Sequence, residues 1–210
     1  MTLYSYIVRE DTGFAPNPFH GCCTVACCKA PIRKKAKVGD WIVGLTSKDK
    51  GNKIVFFMEV GELLTFAEYW KKFKQKRPKL NAGIIQARGD NIYEPLKGGG
   101  YRQLRSMHSE PEPFGKSENE DNKKRDLESK NVLVATKFAY FGSKPIPLPK
   151  SLSPLKIGRG YRCHFSSEVQ EAFCRFVGKQ EFGVHAQPTI WPKDGAWKDA
   201  VFGIGAGGGC

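Results

Sequence analysis

No run of apolar residues in this chain approaches the roughly 18 that a bilayer-crossing helix needs. The opening MTLYSYIVRED has no basic flank, no long apolar stretch and no small-residue cleavage site. These absences read as a soluble, cytoplasmic protein with no membrane partner. Acidic residues are few: 21 Asp and Glu face 34 Lys and Arg in 210 residues, a formal charge of +13. That imbalance favours a polyanionic partner through counterion release, nucleic acid first and DNA before RNA. Histidine is sparse as well, with four, His20, His108, His164 and His185, far apart along the chain. HExxH, HxE followed by PCxxC, and GxSxG are all missing, so no motif announces a zinc hydrolase, a deaminase or a serine hydrolase. Gly98-Gly99-Gly100 has no phosphate-loop lysine after it, and no cofactor is expected.

The rest of the composition is that of an ordinary globular chain, 40% apolar, 12% aromatic and 26% charged. Its length supports one domain over 1–210. Seven cysteines are an odd number, and the pairs Cys22-Cys23 and Cys27-Cys28 are spaced CCxxxCC, which is not the two-residue spacing of a zinc knuckle. Set among Thr24, Val25 and Ala26, these thiols read as reduced, small buried hydrophobes with no metal.

Leu3 to Arg9 alternates and is expected to form a strand. A turn-rich loop from Glu10 to Phe19 follows, and the Cys-rich part reads as either a strand or a short helix. Gly39-Asp40 turns into a strand from Trp41 to Leu45, and a polar loop leads to a long strand from Lys53 to Leu64. Phe66 to Phe73 has apolar residues at i, i+3, i+4 and i+7, a short amphipathic helix with a basic outer face. Residues 108–130 are acid-, Lys- and Pro-rich with almost no apolar anchor, and read as a polar, flexible insertion. A strand over Asn131 to Tyr140, a proline-rich connector over Lys144 to Pro154 and a helix over Glu168 to Val177 complete the chain. Residues 203–210 read as a frayed tail.

Two resemblances follow from these elements. Gly39-Asp40-Trp41-Ile42-Val43, then Ile54 to Val60, then the Phe66 to Phe73 helix resemble the β-barrel superfamily of the pseudouridine-synthase and archaeosine-transglycosylase type, with its EVE and YTH branches. That implies an α+β fold around a small, mostly antiparallel PUA/EVE-like β-barrel with flanking helices. More of the chain is similar to the second type of nucleotide-modification-associated domain: Asp11 to Pro18, Cys28 to Arg33, Gly39 to Gly44, Glu68-Tyr69-Trp70, Gly89 to Tyr93 and Phe138 to Gly142, in that order. This second resemblance implies a setting, the making or handling of modified bases, and no particular reaction.

A reader of an extruded or modified base needs a flat face for stacking and polar groups for the base edge. Phe14, Trp41 and Tyr93 are candidates for the face, and Asp11, Asn17, Asp90 and Asn91 for the edge. Arg33, Lys34 and Lys35, with Lys72 and Arg77, are candidates for a phosphate track. Core packing is the competing reading of each aromatic, and a solvated surface that of each basic run. The rival function is an enzyme on a base or nucleotide, a hydrolase or transferase with Asp11, Asp90 and His20 as bases or ligands, provided that the fold brings them together. A third is a protein-interaction module of a defence or modification system, beside base-modification enzymes.

Overall fold

The computed structural model describes residues 1–192; the tail read as frayed lies outside them. A six-stranded sheet dominates. It holds β1 (Leu3–Ile7), β3 (Trp41–Leu45), β4 (Ile54–Glu59), β9 (Phe138–Tyr140), β10 (Tyr161–Arg162) and β11 (Gly183–Val184), in the order β10-β1-β3-β4-β9-β11. β1 with β3 and β9 with β11 run parallel, and the other neighbours run antiparallel. A second, antiparallel sheet is built from β2 (Cys23–Val25), β8 (Asn131–Ala135) and β5 (Glu62–Thr65), and a ribbon from β6 (Tyr93–Pro95) and β7 (Tyr101–Gln103). Five α-helices accompany them: α1 (Ala30–Lys35), α2 (Phe66–Lys72), α3 (Ile84–Ala87), α4 (Glu120–Leu127) and α5 (Ser167–Val177).

The two long strands expected from the sequence are each broken in two, and both breaks fall at the same place. Gly61 N–H bonds Val134 O and Glu59 N–H bonds Lys137 O, so β4–β5 and β8–β9 form one bent antiparallel ribbon that passes from the large sheet into the small one. The chain is mixed α+β and mostly antiparallel as expected. The two sheets share this ribbon, but no closed barrel forms among the described residues, because β10 and β11 end the large sheet and β2 and β5 end the small one.

Period-two alternation builds the layers. Tyr4, Tyr6, Ile42, Phe56 and Met58 face inward and meet Cys23, Val25, Leu133 and Ala135 of the small sheet. Leu3, Trp41, Val43, Leu45 and Phe57 face the other way and are covered by Phe173 and Val177 of α5 and by Leu152 and Leu155. The far side of the small sheet packs Leu64, Val132 and Val134 on Phe66, Tyr69 and Phe73. Thr65 starts α2 with a capping box, its hydroxyl accepting from Glu68 N–H while Glu68 accepts from Thr65 N–H.

Trp41 is therefore a core residue. It is 5% exposed, and its ring lies 5.5 Å from Phe173 and 6.1 Å from Phe57, which leaves no open face for a base. The 108–130 segment is likewise more ordered than its composition suggests. It carries α4, capped by the Asn119 side chain accepting from Asn122 N–H, and buries Ser109, Asn122, Asp126 and Ser129.

Trp41→Ala should lower the unfolding free energy by about 3 to 5 kcal/mol, the usual cost of truncating a buried tryptophan. Urea denaturation measures it, and an unchanged midpoint would contradict the core placement.

Candidate functional site

The chain leaves β2 and reaches Cys28 with φ 58° and Lys29 with φ 45° before α1 begins, with Pro31 in its first turn. Two consecutive non-glycine residues in the left-handed region are costly, on the order of 1 kcal/mol or more each. The result is a sharp strand-turn-helix corner that presents the half-buried Cys28 thiol, a geometry that nucleophiles of other folds also use.

The corner is held from beneath by Arg33, whose side chain is fully buried. Its Nε donates to Cys28 O at 2.8 Å, Nη1 to Asn131 O at 2.7 Å and Nη2 to Asp126 O at 2.5 Å. One guanidinium thus ties the corner, the last turn of α4 and the start of β8 together.

Above this clamp three side chains line up. Cys28 Sγ lies 3.5 Å from His108 Nε2, and His108 Nδ1 lies 2.9 Å from Asp126 Oδ2. Asp126 also accepts from Cys28 N–H at 2.5 Å and from Tyr93 OH at 2.7 Å, and Gln103 Nε2 donates to the Tyr93 oxygen at 3.3 Å. Phe14 sets its ring 4.8 Å from the imidazole, edge to face. A cleft of about 300 Å³ opens onto the row, walled by Lys29, Pro31, Arg125 and Glu128.

Burial would lower the affinity of His108 for its proton. Hydrogen bonds to Asp126 and Cys28 and their negative charge outweigh it, and the pKa rises to about 10. Burial would likewise raise the Asp126 carboxyl, but the His108 hydrogen bond and charge, with the Tyr93 and Cys28 bonds, hold it below the ordinary aspartate value. The imidazole is charged and oriented at neutral pH.

Cys27, His108 and Asp126 also place potential metal-ligand atoms within 4.8 Å of one another. Their bonding suits a metal poorly. Burial pushes the Cys27 thiol far up, its sulfur donates to Asp90 O at 3.6 Å, and the His108 Nδ1 that faces Asp126 is already bonded to it. A cation there would have to break the 2.9 Å contact.

The residues anticipated as base contacts lie elsewhere or act differently. Asn17, Asp90 and Asn91 do converge, but inside the core around Lys76. The Lys76 ammonium, fully buried, donates to Asn17 Oδ1 at 2.7 Å and to the carbonyls of Asn17 and Cys22. Asp90 accepts from Thr24 and Tyr69 hydroxyls, each at 2.6 Å, and Asn91 Nδ2 donates to Tyr69 O and Phe73 O, closing the end of α2. Gly89 permits this approach, since a Cβ there would stand 2.3 Å from Lys76 O. Asp11 belongs to another network, accepting from Tyr140 OH and from Thr189 N–H and Oγ1, and anchors the segment around Thr189. His20 lies half-buried beside this core and joins neither carboxylate. The Asp11, Asp90 and His20 enzyme set is thus not assembled.

Of the expected phosphate track, Arg33 is buried, Lys72 is paired with Glu62 at 2.7 Å, and Arg77 lies 3.7 Å over the Trp70 ring. Lys34 and Lys35 stay exposed on α1. Phe14, Tyr93 and Arg33 do meet, around the Cys28 row. Sequence reading passed over Cys28, His108 and Asp126 themselves. The available signal was local, a cysteine just ahead of a proline-led helix; the successive separations of 80 and 18 positions between the three residues carry no spacing rule.

The family model described as nucleotide modification associated domain 2 matches residues 1–195. The chain belongs to that family. No curated protein and no solved structure matches it. For this member of the nucleotide modification associated domain 2 family, a role in nucleotide modification is the supported context, and the matched span includes every residue of the Cys28 row. None of the described helices is long and apolar enough to cross a membrane.

Arg33→Met should cost about 3 to 5 kcal/mol of stability, because it strands three carbonyls and leaves Asp126 with less positive charge nearby. Chemical denaturation reads this, and a neutral effect would restore Arg33 to the list of surface contacts.

The histidines give a pH signature. His108, raised to about 10, contributes stability that is complete below its unfolded value near 6.5 and is lost as pH rises through about 10. His20 is lowered to about 4 by burial and by the charge of Lys76, so stability falls as pH drops from about 6.5 to about 4. Urea unfolding across this range should decline on both sides; His108→Asn should flatten the alkaline arm and His20→Asn the acid one.

Proposed function

We propose that this protein is a cysteine-dependent enzyme of nucleotide modification, an acyl transferase or hydrolase with Cys28 as nucleophile, His108 as proton carrier and Asp126 as the group that orients and charges the imidazole. The observation that carries this reading is the hydrogen-bonded row Cys28–His108–Asp126 at a strained strand-turn-helix corner, open to a cleft.

The surroundings of the sulfur support it. Arg33 is buried beneath the corner and His108, paired with Asp126, lies beside the Cys28 sulfur. A cysteine next to an imidazolium is set up for nucleophilic attack.

The steps then follow. The Cys28 sulfur attacks the carbonyl carbon of an activated acyl donor, an ester, thioester or amide, and forms a C–S bond. The leaving group departs with the proton that His108 Nε2 held. An amine or water next attacks the thioester carbon, passes a proton to His108, and the C–S bond breaks to return the thiolate. A nucleobase or nucleotide offers exocyclic amines as acceptors, which joins the thiol chemistry to the family's context.

Non-catalytic recognition of a modified or extruded base, on DNA and beside base-modification enzymes, is the alternative. It draws on the same context and on the net charge. The geometry favours it less, because Trp41, Tyr93 and Asn91 are enclosed and their faces or donors are taken.

Incubation with p-nitrophenyl acetate, followed by peptide mass spectrometry, tests the enzyme reading. Cys28 should acquire the acetyl group ahead of the exposed Cys174, and folded His108→Asn should slow acylation by about 10² to 10⁴-fold, the usual share of a positioned proton carrier. Acetylation of Cys174 at the same rate, or no effect of His108→Asn, would defeat it.

A further inference from the structure

Besides the charged His108, two cations line the Cys28 cleft: Lys29, the residue after the sulfur, and Arg125, the residue before Asp126 on α4. They come from the two segments that meet there. The Lys29 ammonium lies 4.4 Å from the centroid of the buried Tyr6 ring. Burial lowers its affinity for a proton, and the charge of Cys28 acts the other way. Arg125 folds back along α4, with Nε donating to Asp121 O at 3.2 Å and Nη2 to Asn122 Oδ1, which holds the guanidinium against another residue of the cleft wall.

The acids nearby are engaged elsewhere. Asp126 accepts from His108, Tyr93 and Cys28 N–H, Glu128 stands 3.5 Å from Lys34 Nζ, and Glu112 accepts from Asn122 Nδ2. Among the described residues, no carboxylate lies within ion-pair distance of Lys29 or Arg125.

Size narrows the occupant. About 300 Å³ is at the small end of ligand sites, room for a small molecule. A larger recess of about 620 Å³ lies at the other end of α1, lined by Tyr4, Lys35, Cys163 and His164. The Lys35 ammonium there stands 5.6 Å from the centroid of the Tyr161 ring and is hydrogen-bonded to that side chain.

We propose that the Cys28 cleft selects a small anionic acyl compound, its carboxylate or phosphate held by Arg125 and Lys29 while its carbonyl carbon meets the sulfur. The assignment rests on the thiol chemistry proposed above and names the substrate class for it. An arginine fork binds either anion through paired N–H donors, and a lysine adds a point charge. Anchoring the substrate at a second point holds the carbonyl toward Cys28, which is the contribution of positioning to rate. A neutral ester of the same size has no such anchor.

Alkylation of the full chain by iodoacetate and by its neutral counterpart iodoacetamide, read by peptide mass spectrometry, tests the proposal, with the exposed Cys174 as reference in the same molecule. The iodoacetate-to-iodoacetamide rate ratio at Cys28 should exceed that at Cys174 by about tenfold. Arg125→Gln and Lys29→Gln, checked for their fold by urea denaturation, should each cut the ratio at Cys28 by about threefold or more, whereas Lys124→Gln, an exposed charge on the same helix outside the cleft, should leave it unchanged. Equal ratios at the two cysteines, or a ratio that either cleft variant leaves as it was, would overturn the proposal. Should Cys28 react with both reagents no faster than Cys174, the thiol reading alone fails, and calorimetric titration of Cys28→Ala with succinate and with methyl phosphate decides the anion site. The tighter of the two identifies the group as carboxylate or phosphate, and adding Arg125→Gln should weaken it by about tenfold. Binding of neither anion, or an affinity indifferent to Arg125→Gln, rules the site out.

Discussion

One buried guanidinium holds the Cys28 corner of this molecule together. Arg33 comes from a run of bases that looks, in sequence, made for the surface, yet its fork reaches the carbonyls of Cys28, Asp126 and Asn131. A planar donor set with fixed angles suits three acceptors from three segments better than a lysine would. Removing such a charge from water is expensive. The cost is offset by full hydrogen bonding and by the Asp126 carboxylate, which in turn receives His108, Tyr93 and the Cys28 amide. The strained Cys28-Lys29 corner persists because its neighbours determine it from several sides at once.

The molecule keeps its buried polarity in separate places, and the separation explains why similar residues have different standing. Around Lys76 the side chains bond one another: Asn17, Thr24, Tyr69 and Asp90 close on the ammonium and on each other. Around Cys28 the chain of bonds ends at a sulfur that faces a cleft. The first arrangement rigidifies a core; the second brings a hydrogen-bonded row of side chains to the edge of a cleft. Burial alone does not distinguish them, since Asp90 and Asp126 are both buried carboxylates.

α1 stands between the two recesses of this surface. Its first turn lines the cysteine cleft and its last residue, Lys35, lines the larger recess. The family match, which covers both recesses, gives nucleotide modification as their setting.

Local pattern alone determined the elements. The alternation of Leu3 to Ile7 and of Trp41 to Leu45, the i, i+3, i+4, i+7 spacing of α2 and the apolar face of α5 can each be read from a dozen neighbouring residues, because side-chain period reports secondary structure directly. It could not place the bend that splits two long strands at Gly61 and between Ala135 and Phe138, since that bend arises from the pairing of the strands with each other. Nor could it rank the polar residues. Asp90, Asn91 and Trp41 are conspicuous in sequence and lie in the core, whereas Asp126 sits in a segment whose composition suggests mere solvation. Hydrogen-bond partners decide such roles, and those of Cys28 come from positions 80 and 98 residues away. Only the packing of α4 and of the loop carrying His108 against the β2–α1 corner makes a cysteine, a histidine and an aspartate into one site.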